Sequence, residues 1–427
     1  MASVKPFRAL RYNSALVDNS KTVAPPYDVI NAEQQEALHN RDEHNIIRLE
    51  LGKKFDQDND NDNRYTRAAA TFNKWQDEKI FVQDQKPAYY LYIQEYEYNG
   101  CTIRRTGFLA TIKAEGYGPG NVLPHEETLP KHKADRLALM EHTFANFSPI
   151  FGLFNDPNKT VDKLLTEAAQ EPVVDFTDEA GVRQQMFVID DEATCAAVEA
   201  ALSDKKIYIA DGHHRYETAS RFNKECLAQG ITGCDRMLMA FVNLHDEGLL
   251  VFPTHRLIKS LGKYCQRTLL GDLEKIGFNI ELINDFAEAK AKMNAGGKQI
   301  PSFLLHLPQK SYLLRLQNKE AAIATVAPGK PLAYRSLDVT LLHELIIRPL
   351  FGIGPAELAA EGYLAYTRND NEALKFVDNG DYACSFLMNS TLVSELLAVA
   401  EAGEKMPQKS TYFYPKFISG LVINKLK

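Results

Sequence analysis

The string Asp211-Gly212-His213-His214-Arg215 constrains the fold of this chain more than any other part of its sequence. It follows the apolar run Ile207–Ala210, which predicts a strand, and it precedes residues with helical spacing. The sequence therefore predicts a strand that ends at the aspartate, a turn at the glycine, and a helix that begins at the first histidine. Three basic side chains would then lie in the first turn of that helix.

Basic residues are unusual at a helix start, because the helix N-terminus carries partial positive charge and N–H groups without internal partners. The arginine and the two imidazoles of this string suit a phosphate or another small anion. Asp211 would either cap the helix or hold a cation. The alternative is an ordinary helix start with solvated basic residues. We favour the anion site because the basic residues oppose the helix dipole.

Composition limits the partners of the chain. Its net charge of -7 argues against binding to nucleic acid or to an anionic membrane. None of its six cysteines forms a CxxC pair, no signal peptide is evident, and no apolar run reaches membrane-spanning length. We therefore expect a cytoplasmic protein with small-molecule substrates and neither a nucleic-acid nor a membrane partner. The sequence leaves the oligomeric state open.

The pattern of elements predicts an α+β (mixed α/β) fold and not a doubly wound sheet. Tyr89–Tyr98 and Thr102–Ile112 read as strands joined by a hairpin turn at Asn99-Gly100, and Asn45–Leu51 reads as another strand. A length of 427 residues favours two or three domains. We expect an N-terminal α/β segment over 1–100, a core over 101–260 and a C-terminal α/β domain over 261–427.

Several familiar catalytic motifs are absent from the sequence, including a P-loop, a GxSxG elbow and an HExxH zinc helix. Gly116, Gly118 and Gly120 lack the spacing of a dinucleotide fingerprint. What remains is His125-Glu126, an imidazole and a carboxylate on a proline-bounded loop. Glu126 could act as a general base toward a hydroxyl. Alternatively, it caps a helix or pairs with Lys131 or Lys133.

Two short motifs resemble those of the ParB/sulfiredoxin-like free-serine kinases. They are Pro124-His125-Glu126 and the Asp211–Arg215 string. The resemblance implies a ParB/sulfiredoxin-like core in which Glu126 activates the serine hydroxyl while the string binds the transferred phosphate. It further implies catalytic roles for Asp211 and His213, and Mg²⁺ with Asp211 as a ligand. The donor would be pyrophosphate or ADP, and the product O-phospho-L-serine.

The chain also resembles a widespread bacterial family of unassigned function. The shared strings are APPYDV, HEET, ADGHHRYETA and MPxKSTxFxPK, which begin here at Ala24, His125, Ala210 and Met406. This resemblance spans nearly the whole chain. About 85 residues separate Glu126 from Asp211, whereas a few tens separate the two motifs in the small archaeal kinases, which also lack a counterpart of the N-terminal segment.

Further candidates are basic or lie next to prolines. One group is predicted to form a second phosphate clamp, or else an exposed loop: Lys409, Ser410, Thr411 and Lys416. A second group is predicted to contact substrate together with His125: Tyr27 and Asp28, which otherwise form a turn, and Arg256, which otherwise forms a surface pair with His255. Lys131, Lys133 and Arg136 either face the phosphate or lie on a solvated helix face, and we favour the solvated face.

The resulting hypothesis is a phosphotransferase that makes O-phospho-L-serine from free L-serine, or runs in reverse to supply serine. The absence of an adenine-recognition motif favours pyrophosphate over ADP. In this scheme Gly212, His213, His214 and Arg215 bind phosphate. Two alternatives stay open, namely a phosphoserine hydrolase and a ParB-like nucleotide- or DNA-binding protein. A sulfiredoxin-like reductase would need a reactive cysteine beside the phosphate, where histidines stand.

Overall fold

The strand and the helix predicted around the Asp211–Arg215 string are both present in the computed structural model of the chain, which describes residues 3–117, 121–126, 130–360 and 362–427. Ile207–Asp211 is a strand, and His213–Ala228 is a helix. The fold is mixed α/β, as the sequence predicts.

The strands, in chain order, are β1 (Val4–Lys5), β2 (Leu10–Tyr12), β3 (Phe81–Gln83), β4 (Tyr89–Tyr98), β5 (Cys101–Lys113), β6 (Val122–Leu123), β7 (Ala145–Asn146), β8 (Ile150–Phe154), β9 (Val174–Thr177), β10 (Arg183–Ile189), β11 (Ile207–Asp211), β12 (Arg236–Asn243), β13 (Leu250–Phe252), β14 (His255–Ile258), β15 (Phe278–Ile283), β16 (Ser302–Leu307), β17 (Lys310–Leu316), β18 (Leu364–Thr367), β19 (Cys384–Met388), β20 (Tyr412–Tyr414) and β21 (Asn424–Lys425).

The helices are α1 (Asn19–Thr22), α2 (Ala32–Arg41), α3 (Ile47–Glu50), α4 (Arg64–Asp77), α5 (Pro130–Thr143), α6 (Thr160–Ala168), α7 (Glu192–Leu202), α8 (His213–Ala228), α9 (Gln266–Ile276), α10 (Phe286–Ala295), α11 (Lys319–Thr325), α12 (Leu332–Arg335), α13 (Asp338–Leu342), α14 (Arg348–Phe351), α15 (Pro355–Ala359), α16 (Asp370–Asp378) and α17 (Val393–Glu401). A 3₁₀ turn covers Tyr27–Val29 and a π turn covers His343–Ile347. No helix in the described part of the chain has the length and apolarity needed to cross a bilayer.

The chain divides into two units. Unit 1 comprises Met1–Pro124, Thr128–Leu250 and Pro415–Lys427, and unit 2 comprises His125–Glu127 and Val251–Tyr414. The bounds of these units differ from those of the three regions expected from the sequence, and that three-part division stays a prediction.

A nine-stranded sheet dominates the described part of unit 1, with the order β6-β11-β8-β12-β5-β4-β10-β9 and with β1 paired to β5. Most neighbours are antiparallel, but β12 runs parallel to β8 and β11 runs parallel to β6. Apolar side chains bury this sheet, among them Phe108 and Phe241, whose rings stack with centroids 5.0 Å apart. The sheet thus holds β11, and Asp211 at its end, on a rigid base.

The predicted hairpin is confirmed, because β4 and β5 pair with Tyr98 opposite Cys101. Asn99 and Gly100 both have positive φ, 52° and 77°. A two-residue hairpin turn of this kind requires positive φ at both central positions, which Asn-Gly adopts readily.

The strand predicted over Asn45–Leu51 is wrong, because Ile47–Glu50 forms the short helix α3. The side chain of Asn45 accepts a hydrogen bond from the backbone N–H of Ile47 at 3.0 Å, which starts the helical turn. Ile46, Ile47 and Leu49 are all buried. A short apolar run buried on several sides has the same pattern in a strand and in a helix.

Unit 2 contains a six-stranded sheet among its described residues, with the order β15-β17-β16-β19-β14-β18 and antiparallel neighbours throughout. Leu304, Leu313 and Leu387 lie in its core. Strand β14 carries His255 and Arg256, which places both side chains in the interior of this unit.

Candidate functional site

The turn between β11 and α8 depends on glycine. Gly212 has φ 90° and ψ 27°, which is the left-handed region. A Cβ at this position would lie 3.0 Å from Nε and Nη2 of Arg215. Both the backbone conformation and the close approach of the arginine therefore require glycine at the start of this helix.

Asp211 binds cations and does not cap α8, so the capping interpretation is wrong. Its Oδ1 accepts a hydrogen bond from the backbone N–H of Gly212 at 2.9 Å, and its Oδ2 accepts one from Nζ of Lys416 at 2.8 Å. Nη2 of Arg215 lies 3.9 Å from the same Oδ2. The carboxylate thus gathers two cations at the helix start.

Electrostatics keep Asp211 ionised. Burial would raise the pKa of this carboxyl group, but the charges of Lys416 and Arg215 outweigh burial and hold the pKa well below its ordinary value. The side chain of Arg215 is 6% exposed and that of Lys416 14%. We call Asp211, Gly212, His213, His214, Arg215 and Lys416 the anion cradle. His213 is buried and His214 is half-buried.

Arg215 is held in place on two sides. Its Nη1 donates a hydrogen bond to the backbone oxygen of Pro149 at 2.6 Å. Its guanidinium carbon lies 6.0 Å from the centroid of the Tyr27 ring. A charged donor that is already oriented by protein groups loses little conformational entropy when it binds a ligand.

The Tyr27 ring lies near two arginines, Arg215 and Arg136. The Arg136 guanidinium lies 4.0 Å from the Tyr27 ring centroid, and burial raises the pKa of the Tyr27 hydroxyl to about 12. Arg136 is itself buried and pairs with Glu50 at 3.0 Å, so the interpretation of Arg136 as part of a solvated helix face is wrong. Asp28, by contrast, is exposed in the 3₁₀ turn.

The second group of predicted residues lies in unit 2. The backbone N–H of Met406 donates to the oxygen of His125 at 2.6 Å, and Glu126 pairs with Met406 as a parallel bridge. Oε1 of Glu126 accepts a hydrogen bond from the backbone N–H of Lys409 at 3.2 Å. Nε2 of His125, whose side chain is buried, lies 3.0 Å from Oγ1 of Thr411. The His125-Glu126 motif and the Lys409–Thr411 segment therefore form one cluster.

Buried contacts support the Lys409–Thr411 segment. Ser410 is buried, and its hydroxyl donates to the oxygen of Pro407. Arg256 is 1% exposed, and its Nη2 donates to the oxygen of Lys409 at 3.2 Å. Arg256 also donates to the oxygen of Thr254. Its guanidinium therefore joins the Lys409–Thr411 segment to the residue that precedes β14. The prediction that Arg256 and His255 form a surface pair is wrong, because both are buried.

A family model described as "Protein of unknown function (DUF1015)" matches residues 4–340 of the chain. The chain belongs to this family. The match includes Ala24, His125 and Ala210, where three of the four strings that suggested a family of unassigned function begin. No curated protein matches the chain significantly.

Solved structures resemble this DUF1015 member only distantly. A mutant free serine kinase in complex with ADP is 15% identical, with a TM-score of 0.38, over 75% of this chain and 92% of that chain. A conserved hypothetical protein from Pyrococcus furiosus is 15% identical, with a TM-score of 0.35, over 74% and 95%. SbnI from Staphylococcus aureus, truncated at its C-terminus, is 12% identical, with a TM-score of 0.38, over 74% and 86%.

The predicted site residues thus fall into two groups in this DUF1015 member. Lys416 was predicted to act with the Lys409–Thr411 segment, but its ammonium group pairs with Asp211. Lys133 pairs with Glu217 at 3.0 Å. Gly118, Gly120 and the side chain of Lys131 lie outside the described residues. The sequence analysis did not identify Glu50, the partner of Arg136, because Asn45–Leu51 was predicted to be a strand and not a helix.

The residues around Asp211 do not fit a resident metal ion. Both carboxylate oxygens already accept N–H groups, and a cation on Oδ2 would have to displace the Lys416 ammonium. Among the described residues, no group of three or more His, Cys, Asp or Glu side chains could hold a metal.

Proposed function

We propose that the chain is a phosphotransferase that makes O-phospho-L-serine from free L-serine, with pyrophosphate as the favoured donor and ADP as the alternative. The observation that carries the proposal is the anion cradle. One carboxylate, Asp211, faces two cations, Lys416 and Arg215, at the positive end of α8. The excess of positive charge at a helix start suits a phosphoryl group.

In this proposal the anion cradle stabilises the charge of the transferring phosphoryl group. Phosphoryl transfer depends mainly on positioning and on electrostatic stabilisation, since the transition state spreads negative charge over three oxygens. Arg215 is oriented by Pro149, and Lys416 by Asp211. Donors fixed in advance need no reorganisation when the reaction occurs.

Glu126 is proposed to take the proton from the serine hydroxyl. The serine Oγ then forms a bond to phosphorus, and the bond from phosphorus to the leaving group breaks. The leaving group is inorganic phosphate when pyrophosphate is the donor and AMP when ADP is the donor. The hydrogen bond from the N–H of Lys409 to Oε1 orients the Glu126 carboxylate. With pyrophosphate the reaction is nearly reversible, so the same residues could supply serine from phosphoserine. Mg²⁺ enters as part of the magnesium–diphosphate substrate.

The test is an assay of the purified full chain with L-serine, Mg²⁺ and either donor, with phosphoserine detected by ³¹P NMR. We expect phosphoserine from the wild-type chain and a loss of about 10²- to 10⁴-fold in Glu126→Gln, which removes the base. Glu401→Gln makes the same chemical change in the last turn of α17 and serves as the control. Phosphate release without serine would indicate a hydrolase instead. The proposal would be refuted if neither donor yielded phosphoserine from serine and if phosphoserine yielded no serine in the reverse reaction.

A further inference from the structure

A second region of positive charge lies in the N-terminal part of unit 1. Helices α2, α3 and α4 and the loop after α3 surround a cavity of about 440 Å³. Cavities of a few hundred Å³ are typical of small-molecule sites. Its lining residues are His39, Asn40, Arg48, Gly52, Lys53, Phe55, Arg64, Arg67 and Thr71. We call this the N-terminal cavity.

The lining of the N-terminal cavity contains four cationic side chains and no carboxylate. The carboxylates that pair with these cations stand outside the lining. They are Glu36 with Lys53, Asp58 and Asp62 with Arg67, and Asp135 with Arg64. Arg48 has no carboxylate partner among the described residues. The cationic side chains, and not their carboxylate partners, therefore line the cavity.

Three buried nitrogens around the cavity have no hydrogen-bond partner among the described residues. They are Nε of Arg48, Nε of Arg64 and Nε2 of His39. His39 is 8% exposed, so its imidazole is nearly removed from solvent. A buried polar atom without a hydrogen-bond partner destabilises the folded state. All three nitrogens belong to side chains that line this one cavity.

The electrostatic environment of His39 agrees with a positive cavity. Burial, followed by the charges of Arg48 and Lys53, lowers the pKa of His39 to about 4. Helix α4 also begins at Arg64, and Arg67 lies in its first turn. Cations at a helix start oppose the dipole, which is the same feature that marks the anion cradle.

We propose that the N-terminal cavity binds a phosphorylated small molecule of about nucleotide size. The four cations would contact the phosphate oxygens. Phe55, which is 45% exposed and whose ring centroid lies 4.8 Å from the Arg67 guanidinium carbon, would contact an apolar or planar part of the ligand. The cavity shares no residue with the anion cradle, so this inference does not depend on the proposed function.

Trp75 provides a local reporter for this test. It is the single tryptophan of the chain and lies on α4, one turn beyond the cavity residue Thr71. The experiment titrates AMP and pyrophosphate into the full chain while following Trp75 emission and, separately, the heat of binding. An Arg215→Gln background removes binding at the anion cradle. Adenosine, which lacks phosphate, is the uncharged probe.

Lys53 and Lys74 form a matched pair of variants. Both side chains pair with a glutamate, but only Lys53 lines the cavity. We expect Lys53→Gln and Arg48→Gln to weaken AMP binding at least about tenfold and Lys74→Gln to leave it within about twofold. Adenosine should not bind. The proposal fails if neither AMP nor pyrophosphate gives saturable heat at millimolar concentration, or if Lys53→Gln binds as tightly as Lys74→Gln.

Discussion

Helices α4 and α8 both carry arginine in the first turn, but the residues that precede them differ. The side chain of Asn63 caps α4 by accepting from the N–H groups of Tyr65 and Thr66. The residue before α8 is Gly212, which has no side chain with which to cap a helix. An anion at α8 can therefore engage both the helix start and the side chains, whereas an anion in the N-terminal cavity would engage side chains alone.

The two regions also place their counter-ions differently. Asp211 lies inside the anion cradle and binds Lys416 directly, whereas Glu36 and the other carboxylates stand outside the lining of the N-terminal cavity. An internal carboxylate fixes the positions of the cations, which suits catalysis. External carboxylates leave the positive charge facing the ligand, which suits binding. We therefore expect catalysis at the anion cradle to depend mainly on the positions of its cations. We expect ligand affinity in the N-terminal cavity to depend mainly on the number of its cations.

Of the changes in these two regions, removal of the Arg215 charge should have the largest effect. Arg215→Gln keeps a polar side chain but takes away an oriented cation. We expect phosphoserine formation to fall by roughly 10²- to 10³-fold. Arg221→Gln on the same helix is the control, because Arg221 is exposed and pairs only with Glu225 among the described residues. Equal activity of the two variants, measured by the rate of phosphoserine production, would remove Arg215 from the mechanism.

A second test removes the negative charge of Asp211 with the substitution Asp211→Asn. The folded-state pKa of Asp211 lies below the unfolded value of about 3.9. Its charge therefore stabilises the fold above that pH, and this stabilisation is lost as the pH falls through the folded pKa. At pH 7 we expect a loss of about 2 kcal/mol in the free energy of unfolding.

Urea unfolding from pH 7 down to pH 3 measures that loss. The gap between wild type and Asp211→Asn should narrow below about pH 4. Glu36→Gln, which removes an exposed counter-ion outside the N-terminal cavity, should change stability far less, because exposed pairs are weak. A gap that stays constant with pH would mean that Asp211 stabilises the fold by packing and not by charge.

Local patterns explain what the sequence could predict. The strand, glycine and helix at Asp211–Arg215 follow from spacing over a few residues, and the hairpin at Asn99-Gly100 follows from the backbone preferences of two residues. The same reasoning placed a strand at Asn45–Leu51. It failed there because burial of Ile46 and Ile47 does not distinguish a strand from a short helix.

Contacts between distant residues explain what the sequence could not predict. Lys416 lies 205 positions from Asp211, and Thr411 lies 286 positions from His125. The sequence motifs select these four residues as candidates but do not say which of them meet. The site residues named from the motifs therefore stay a prediction, whereas their contacts with one another required the fold.

The smallest expected effect concerns the turn at Gly212, where the start of α8 differs from that of α4. Gly212→Ala puts a Cβ where φ is 90° and where Arg215 lies 3.0 Å away. We expect a loss of about 1–2 kcal/mol in stability, because the strained turn must shift the arginine or the backbone. Gly271→Ala is the matched control, since Gly271 lies inside α9 with no atom within 4 Å of the added Cβ. That change should stabilise the chain by about 0.4–1 kcal/mol. Thermal unfolding of the two variants measures both. If Gly212→Ala were as stable as Gly271→Ala, the turn at Gly212 would not be strained by a side chain, and the cradle would not depend on its backbone geometry.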